Sequence, residues 1–339
     1  MTLTKEITRT ESPLFNLRPV SMADLDVVLT LINKASVDQT GGPETNTAEL
    51  KGDWETPSFN LKTSTRVAET ADGQIIGYIE VWDTDAIPVL NWVWGRVDPR
   101  YEGNGVGTEM MEWADKRLLT TIERAPRDAR VAYRSAAVSH HKPSKDLREG
   151  HGMEFVRRFW HMMIEFDGPP PEPLWPDGIK LSSYAERDDL RAIARADNEI
   201  FQDHWGYVPQ PEDHQEKMFR EMIDSIPNFD PSLWFLAMDG DEIAGICLCT
   251  RSRTEYPGAA WVKVLGVRRP WRKQGIGLAL LHHAFGIFYR EGKAKVGLGV
   301  DASNLTGATR LYEKAGMSVV KFNDVYEKEI RPGRNLATK

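Results

Sequence analysis

Cysteine is scarce, with Cys247 and Cys249 the only two in 339 residues. They alternate along the apolar run IAGICLC, which places both on one face of an expected strand. With no further cysteine and no histidine cluster beside them, a metal site is not expected, and the pair reads as buried reduced thiols. Long apolar runs are also missing: none reaches the roughly 18–20 residues of a membrane-spanning helix, so no membrane association is expected. The opening residues, MTLTKEITRTESP, lack the apolar centre of a signal peptide; residues 1–14 are expected to form a flexible tail on a cytoplasmic protein. An excess of positive charge is absent too. The net charge of −7 argues against broad nucleic-acid binding and suits a cationic acceptor better. What is present, 41% apolar and 27% charged residues, describes a soluble globular chain long enough for two ordinary domains.

A proline-rich stretch, FDGPPPEPLWPDG from Phe166 to Gly178, can continue neither a helix nor a central strand and reads as a linker. The same order of elements stands on either side of it: an extended start (NLRPVS, IKLSSY), helices, a hairpin, a strand, a glycine turn and a helix. VDPRYEGNGVG (97–107) lies over VRRPWRKQGIG (267–277) at a constant shift of 170, and LREGHGM (147–153) over LYEKAGM (311–317) at 164. The pattern predicts a duplicated fold: a first copy over 15–167, a linker over 168–178, a second copy over 179–331 and a tail over 332–339.

WRKQGIGLA, beginning at Trp271, joins basic side chains to bare backbone at the start of an expected helix. The first turn of a helix leaves N–H groups unpaired at the positive end of the dipole, so an anion, phosphate above all, is the expected guest. Gly275 and Gly277 lack a Cβ that would hold a phosphate off the backbone, and Arg268, Arg269, Arg272 and Lys273 add charge. Two common phosphate loops are excluded. Leu278 follows Gly277 where a P-loop needs lysine and then serine or threonine, and Leu280 stands where the dinucleotide fingerprint needs its third glycine.

Further on, VGLGVDASNLTGATRLYEKAGM (296–317) reads as a strand into Asp301, a cap at Asn304 or Thr306, and a helix ended by Gly316 on which Ala308, Leu311 and Tyr312 share a face. With VLGV and the glycine turn before it, the chain resembles the GNAT superfamily of acetyl-CoA-dependent N-acetyltransferases, strongly in the second copy and weakly in the first. The resemblance implies an α/β (α+β mixed-sheet) architecture of two tandem GNAT-like domains, each a twisted mixed sheet with a splayed central strand flanked by helices. It implies that Arg272, Lys273, Gln274, Gly275, Ile276, Gly277 and Leu278 hold the CoA pyrophosphate. The splayed strand at Leu265, Gly266 and Val267 would hold the pantetheine arm, with Asn304 near it and Tyr312 by the sulfur as the acid that protonates the leaving thiolate.

The first copy departs from the pattern. Glu102 replaces the loop arginine, Arg148 the tyrosine, and His140 stands where Asn304 does. Asp98, Arg100 and Glu102 sum to −1, whereas Arg268, Arg269, Arg272 and Lys273 sum to +4. A carboxylate beside pyrophosphate is repulsive, so the first copy reads as a degenerate, structural one.

The expected acceptor is a small-molecule amine, on the side lined by FQDHWGYVP: Asp203, His204, Trp205 and Tyr207. No residue stands out as general base, although Glu255 and Tyr256 precede the splayed strand. Mycothiol-synthase-like enzymes are also tandem pairs with LGV and LYE segments and a degenerate half, but their acidic residue before VLGV falls here on Trp261. A non-catalytic acyl-CoA-binding regulator is a further alternative, against which Arg272 and Tyr312 favour an enzyme.

Overall fold

The computed structural model describes residues 14–303 and 307–338. The first half runs β1 (Phe15–Arg18), α1 (Leu25–Thr40), α2 (Thr47–Glu55), α3 (Leu61–Ser64), β2 (Thr65–Thr70), β3 (Ile75–Trp82), β4 (Leu90–Val97), α4 (Val106–Ile122), β5 (Val131–Val138), α5 (Lys142–Gly150) and β6 (Glu154–Glu165). The second repeats that order: β7 (Ile179–Ser183), α6 (Tyr184–Arg187), α7 (Leu190–Phe201), α8 (Glu212–Ser225), β8 (Trp234–Asp239), β9 (Glu242–Thr250), β10 (Ala259–Val267), α9 (Ile276–Arg290), β11 (Lys295–Asp301), α10 (Ala308–Lys314) and β12 (Ser318–Arg331). None of these helices is long and apolar enough to cross a membrane.

Local chemistry explains the elements that carry the site. In α9, Ile276, Leu280, Ala284 and Phe288 recur every fourth residue and are all buried, the mark of a helix lying on a core. On the opposite face of the sheet α7 buries Leu190, Ile193, Ala194 and Ile200, and Asp189 caps it by accepting from the Ala192 N–H at 2.8 Å. Cys247 and Cys249 face the α9 side as buried thiols, their sulfurs 3.6 Å apart.

The twelve strands form one mixed sheet in the order β1-β2-β3-β4-β5-β12-β6-β11-β10-β9-β8-β7. The proline-rich stretch separates β6 from β7 along the chain but does not divide this sheet. The final strands of the two halves are exchanged: β12 lies between β5 and β6, and β6 between β12 and β11, all antiparallel. Residues 332–338, expected as a tail, are docked. Arg334 exchanges backbone hydrogen bonds with Asp128 and Arg130, and Thr338 pairs with Gly206 and Tyr207.

Two strands splay from their neighbours. β10 stays with β9 to Val267 but pairs with β11 only from Ala259 to Val262, where a bulge puts Lys263 out of register. In the first half β4 stays with β3 to Val97 but pairs with β5 only from Leu90 to Trp92. Each split opens the sheet into a V, and each V holds a cleft.

Candidate active site

The cleft in the second V has a volume of about 690 Å³ and is walled by β10, β11, α10, the end of α7 and the start of α9. Gly275 caps α9 at φ +92°, and Lys273 reaches φ +64°, a left-handed turn that aims the segment into the helix. The N–H groups of Lys273 through Leu278 make no hydrogen bond among the described residues, so they remain available to an anion. A Cβ on Gly275 would meet no atom within 4 Å, whereas one on Gly277 would stand 3.2 Å from Leu311. Gly275 therefore serves the turn. Gly277 also serves the close approach of α9 to α10, while its N–H stays unbonded among the described residues.

The expected charge of +4 is corrected by the partners of the arginines. Arg268 donates to Glu199 at 2.6 Å and Glu242 at 2.7 Å, and Arg269 to Asp203 at 2.8 Å. Arg272 donates to the Val267 carbonyl at 3.0 Å, the Ile200 carbonyl at 3.1 Å and Asp203 at 3.1 Å. Counting charge along the loop omitted Glu199, Asp203 and Glu242, which the fold brings to it. Lys273 alone of the four makes no ion pair among the described residues. Arg272 acts as a brace between loop, strand and helix.

Past the divergence from β11, one edge of β10 at Leu265, Gly266 and Val267 faces the cleft. Gly266 is required because α7 leaves no room there for a Cβ beside Ile200. Tyr312, on α10, is 6% exposed and lines the same cleft. Burial raises its phenol above the ordinary value, so it stays protonated at neutral pH. Asn304 and Thr306 lie outside the described residues; Gly307, at φ +81°, caps α10.

Three of the four acceptor-side residues, Asp203, His204 and Trp205, line this cleft together, and Tyr207 does not. Asp203 turns to Arg269 and Arg272, which hold its carboxyl down at about 2. His204 lines the cleft, edge-on to Phe201, and burial lowers its basicity. Trp205 lies under the guanidinium of Arg134, 3.5 Å from its ring centre, and near Arg157 at 4.7 Å, so it also joins the halves. Tyr207 lies outside the cleft, its phenol bonded to Asn198.

A second cavity, about 920 Å³, lies between the halves and was not anticipated. The first half lines it with Glu49, Asp53, Glu80, Trp82, Trp92 and Trp94, the second with Arg253, Trp261 and Lys263. Lys263, the bulge residue, lines this cavity and the cleft alike. It is the one charged letter in AAWVKVLGV, a signal the sequence did carry. Asp53 is accessible from the cavity but enclosed by protein; desolvation raises its carboxyl to about 6 although Lys263 pulls the other way. Desolvation likewise brings Glu80 to about 7 against hydrogen bonds from Tyr78 and Trp82. Glu255 is the opposite case. Burial would raise it, but Arg253, His161 and Lys321 outweigh that and bring it to about 2, too weak for a base.

The cleft in the first V is about 660 Å³. Gly105 caps α4 at φ +82°, and a Cβ on Gly107 would stand 2.7 Å from Leu147, as Gly277 faces Leu311. Glu102 and Arg148 line it, Asp98 is bound by Lys34 and Arg100, and His140 turns away to the Gln39 carbonyl at 2.8 Å.

A family model described as the acetyltransferase (GNAT) family matches residues 37–130 and 191–317. A mycothiol acetyltransferase of Streptomyces scabiei is 26% identical over 324 residues, covering 91% of this chain and 93% of that protein. One from Geodermatophilus obscurus is 27% identical over 310 residues, covering 87% and 91%. Among solved structures, a GCN5-related N-acetyltransferase from Sphaerobacter thermophilus superposes with a TM-score of 0.80 at 34% identity, covering 97% of this chain and 100% of that one. A tandem GNAT protein from the clavulanic acid biosynthesis pathway gives 0.69 at 12% identity, covering 94% and 100%, which is a likeness of fold.

Proposed function

The chain belongs to the GNAT family of acetyltransferases, and on that premise we propose that its second half transfers acetyl from acetyl-CoA to the amine of a small molecule held in the cavity between the halves. The observation that carries this reading is Lys263: the residue at the mouth of the splayed strand lines both the cleft that suits the thioester and the cavity that suits an acceptor.

The chemistry follows from the groups present. The pyrophosphate would lie on the free N–H groups of 273–278 with Lys273, and the pantetheine along Leu265 to Val267. A neutral amine attacks the thioester carbonyl; the C–N bond forms, and charge develops on the carbonyl oxygen, where an N–H donor is worth roughly 3 kcal/mol. The C–S bond then breaks, and the Tyr312 phenol protonates the leaving thiolate. Asp53 makes no side-chain hydrogen bond among the described residues and has a proton affinity near neutral, so we assign it to take the ammonium proton, directly or through water. Trp82, Trp92, Trp94 and Trp261 would cover the acceptor's apolar faces, and Glu49 would favour a cation.

A second reading is acetylation of an amino-sugar thiol precursor, supported by the mycothiol acetyltransferase relatives. Trp261 in place of an acidic residue counts against it. Thiol release from acetyl-CoA, followed across amines that include glucosaminides with and without a thiol, tests both readings. Turnover confined to the thiol-bearing glucosaminide selects the second, and no turnover with any amine removes both.

A further inference from the structure

Arg148 is a cation buried without a counter-charge. It is 5% exposed, and its guanidinium donates to Ser135 Oγ at 3.1 Å, Ser144 O at 2.7 Å, Ser144 Oγ at 2.6 Å and Ala136 O at 2.5 Å. All four acceptors are neutral, and no ion pair includes Arg148 among the described residues. The acids near it are spoken for: Glu149 accepts from Tyr326, and Asp115 from His151, Lys328 and Tyr133. Its charged neighbour Arg96 is a second cation, bound to Glu44. Burial and Arg96 together lower the affinity of Arg148 for its own proton, a sign of how poorly the charge is met.

This guanidinium stands at a defined place. Arg148 follows Leu147, which packs on Gly107, as Tyr312 follows Leu311, which packs on Gly277. It therefore occupies, in the first cleft, the position of Tyr312 in the second. Four of its five N–H groups are used, leaving one; Ser135 and Ser144 keep hydroxyl protons to donate, and both line the cleft. His141 lines it as well; its buried Nδ1 has no partner, while its Nε2 stands 3.6 Å from the Glu102 carboxylate. Donors thus converge at one end. At the loop, Glu102 replaces the arginine, and Asp98 and Glu102 together balance Lys34 and Arg100, so a pyrophosphate is not attracted. Between them the wall is apolar: Ile79, Val93, Met110 and Met111.

We infer that the first cleft is a binding site for a short aliphatic carboxylate, its carboxylate on Arg148, Ser135, Ser144 and His141 and its chain on the apolar wall. The inference is independent of which amine the second half acetylates.

The test is calorimetry of the full chain with hexanoate, and with the neutral isostere hexanamide, each with and without saturating CoA. One hexanoate per chain is expected, bound at least about tenfold more tightly than hexanamide, undisturbed by CoA and weakened at least about tenfold by Arg148→Met. The comparison of the two probes on the unaltered protein stands even where the variant fails to fold. Equal binding of the two probes, displacement of hexanoate by CoA, or uptake of a second CoA that Arg148→Met abolishes would each overturn the inference. CoA uptake by the second cleft is read in the same titrations, so failure here is separable from failure of the acetyl-transfer reading.

Discussion

Asp203 accepts from Arg272 at 3.1 Å, although one is an expected acceptor ligand and the other an expected phosphate ligand. The contact joins the turn after α7 to the phosphate loop and leaves Arg272 as a brace with partners on β10, on α7 and in that turn. A lysine keeps the charge but cannot span these acceptors. Arg272→Lys is therefore expected to weaken CoA binding about tenfold, nearly as much as Arg272→Gln, by calorimetry. Wild-type affinity in the lysine variant would return the residue to a simple charge role.

Tyr312 lines the cleft with a phenol that burial keeps protonated. A leaving-group acid acts in the transition state, so Tyr312→Phe is expected to lower kcat about 100-fold or more and change the CoA dissociation constant less than about threefold. Unchanged turnover with chemistry rate-limiting would leave Tyr312 as packing.

Asp53 must be ionised to take a proton, and its carboxyl titrates near 6. The expected kcat/KM profile rises with pH through about 6. In Asp53→Asn that limb should vanish and kcat/KM fall about 100-fold. A limb that survives in the variant belongs to another group.

Glu255 ties the loop before β10 to both exchanged strands through Arg253, His161 on β6 and Lys321 on β12. Its folded value, about 2, lies below the ordinary 4.5, so its stabilisation is present above 4.5 and fades as pH falls toward 2. Glu255→Gln should cost about 3 kcal/mol at pH 7, since it leaves the Arg253 and Lys321 cations beside a neutral amide, and much less at pH 3. Urea melts at both pH values measure the difference.

A fragment of residues 174–339 lacks β6, the strand that both β11 and β12 need as partner. It should self-associate through the apolar β11 edge, KVGLGVD. A fragment of 152–339 restores β6 and newly opens only β12, whose Lys321, Asp324, Glu327 and Lys328 blunt an edge. It is expected to be monomeric in size-exclusion chromatography and to melt below the full chain.

The repeat, the glycine turn and the tyrosine were legible because each is local: a turn needs Gly275 within a few residues of its helix, and Tyr312 sits one residue from the leucine that packs on Gly277. Partners from distant segments left no such trace. Glu199, Asp203 and Glu242 reach the arginines across tens of residues, and Asp53 meets Lys263 only because the two halves share a sheet. Lys263 was visible as a charge inside an apolar strand, but its meaning depended on a bulge set by pairing with β9.

The exchange of β6 and β12 also has a consequence for the order of assembly. Val138 pairs with Asn323, and Val131 with Arg331, so the fifth strand waits for the last one made. During synthesis the first half would emerge with β5 unpaired on that side and β6 without either neighbour until the second half is nearly complete. High sequence separation between partners slows pairing and prolongs exposure of open edges. The chain is thus built to fold late and together, and residues near its carboxyl end, on β12 and in the docked 332–338 segment, act as the latch that closes the half made first.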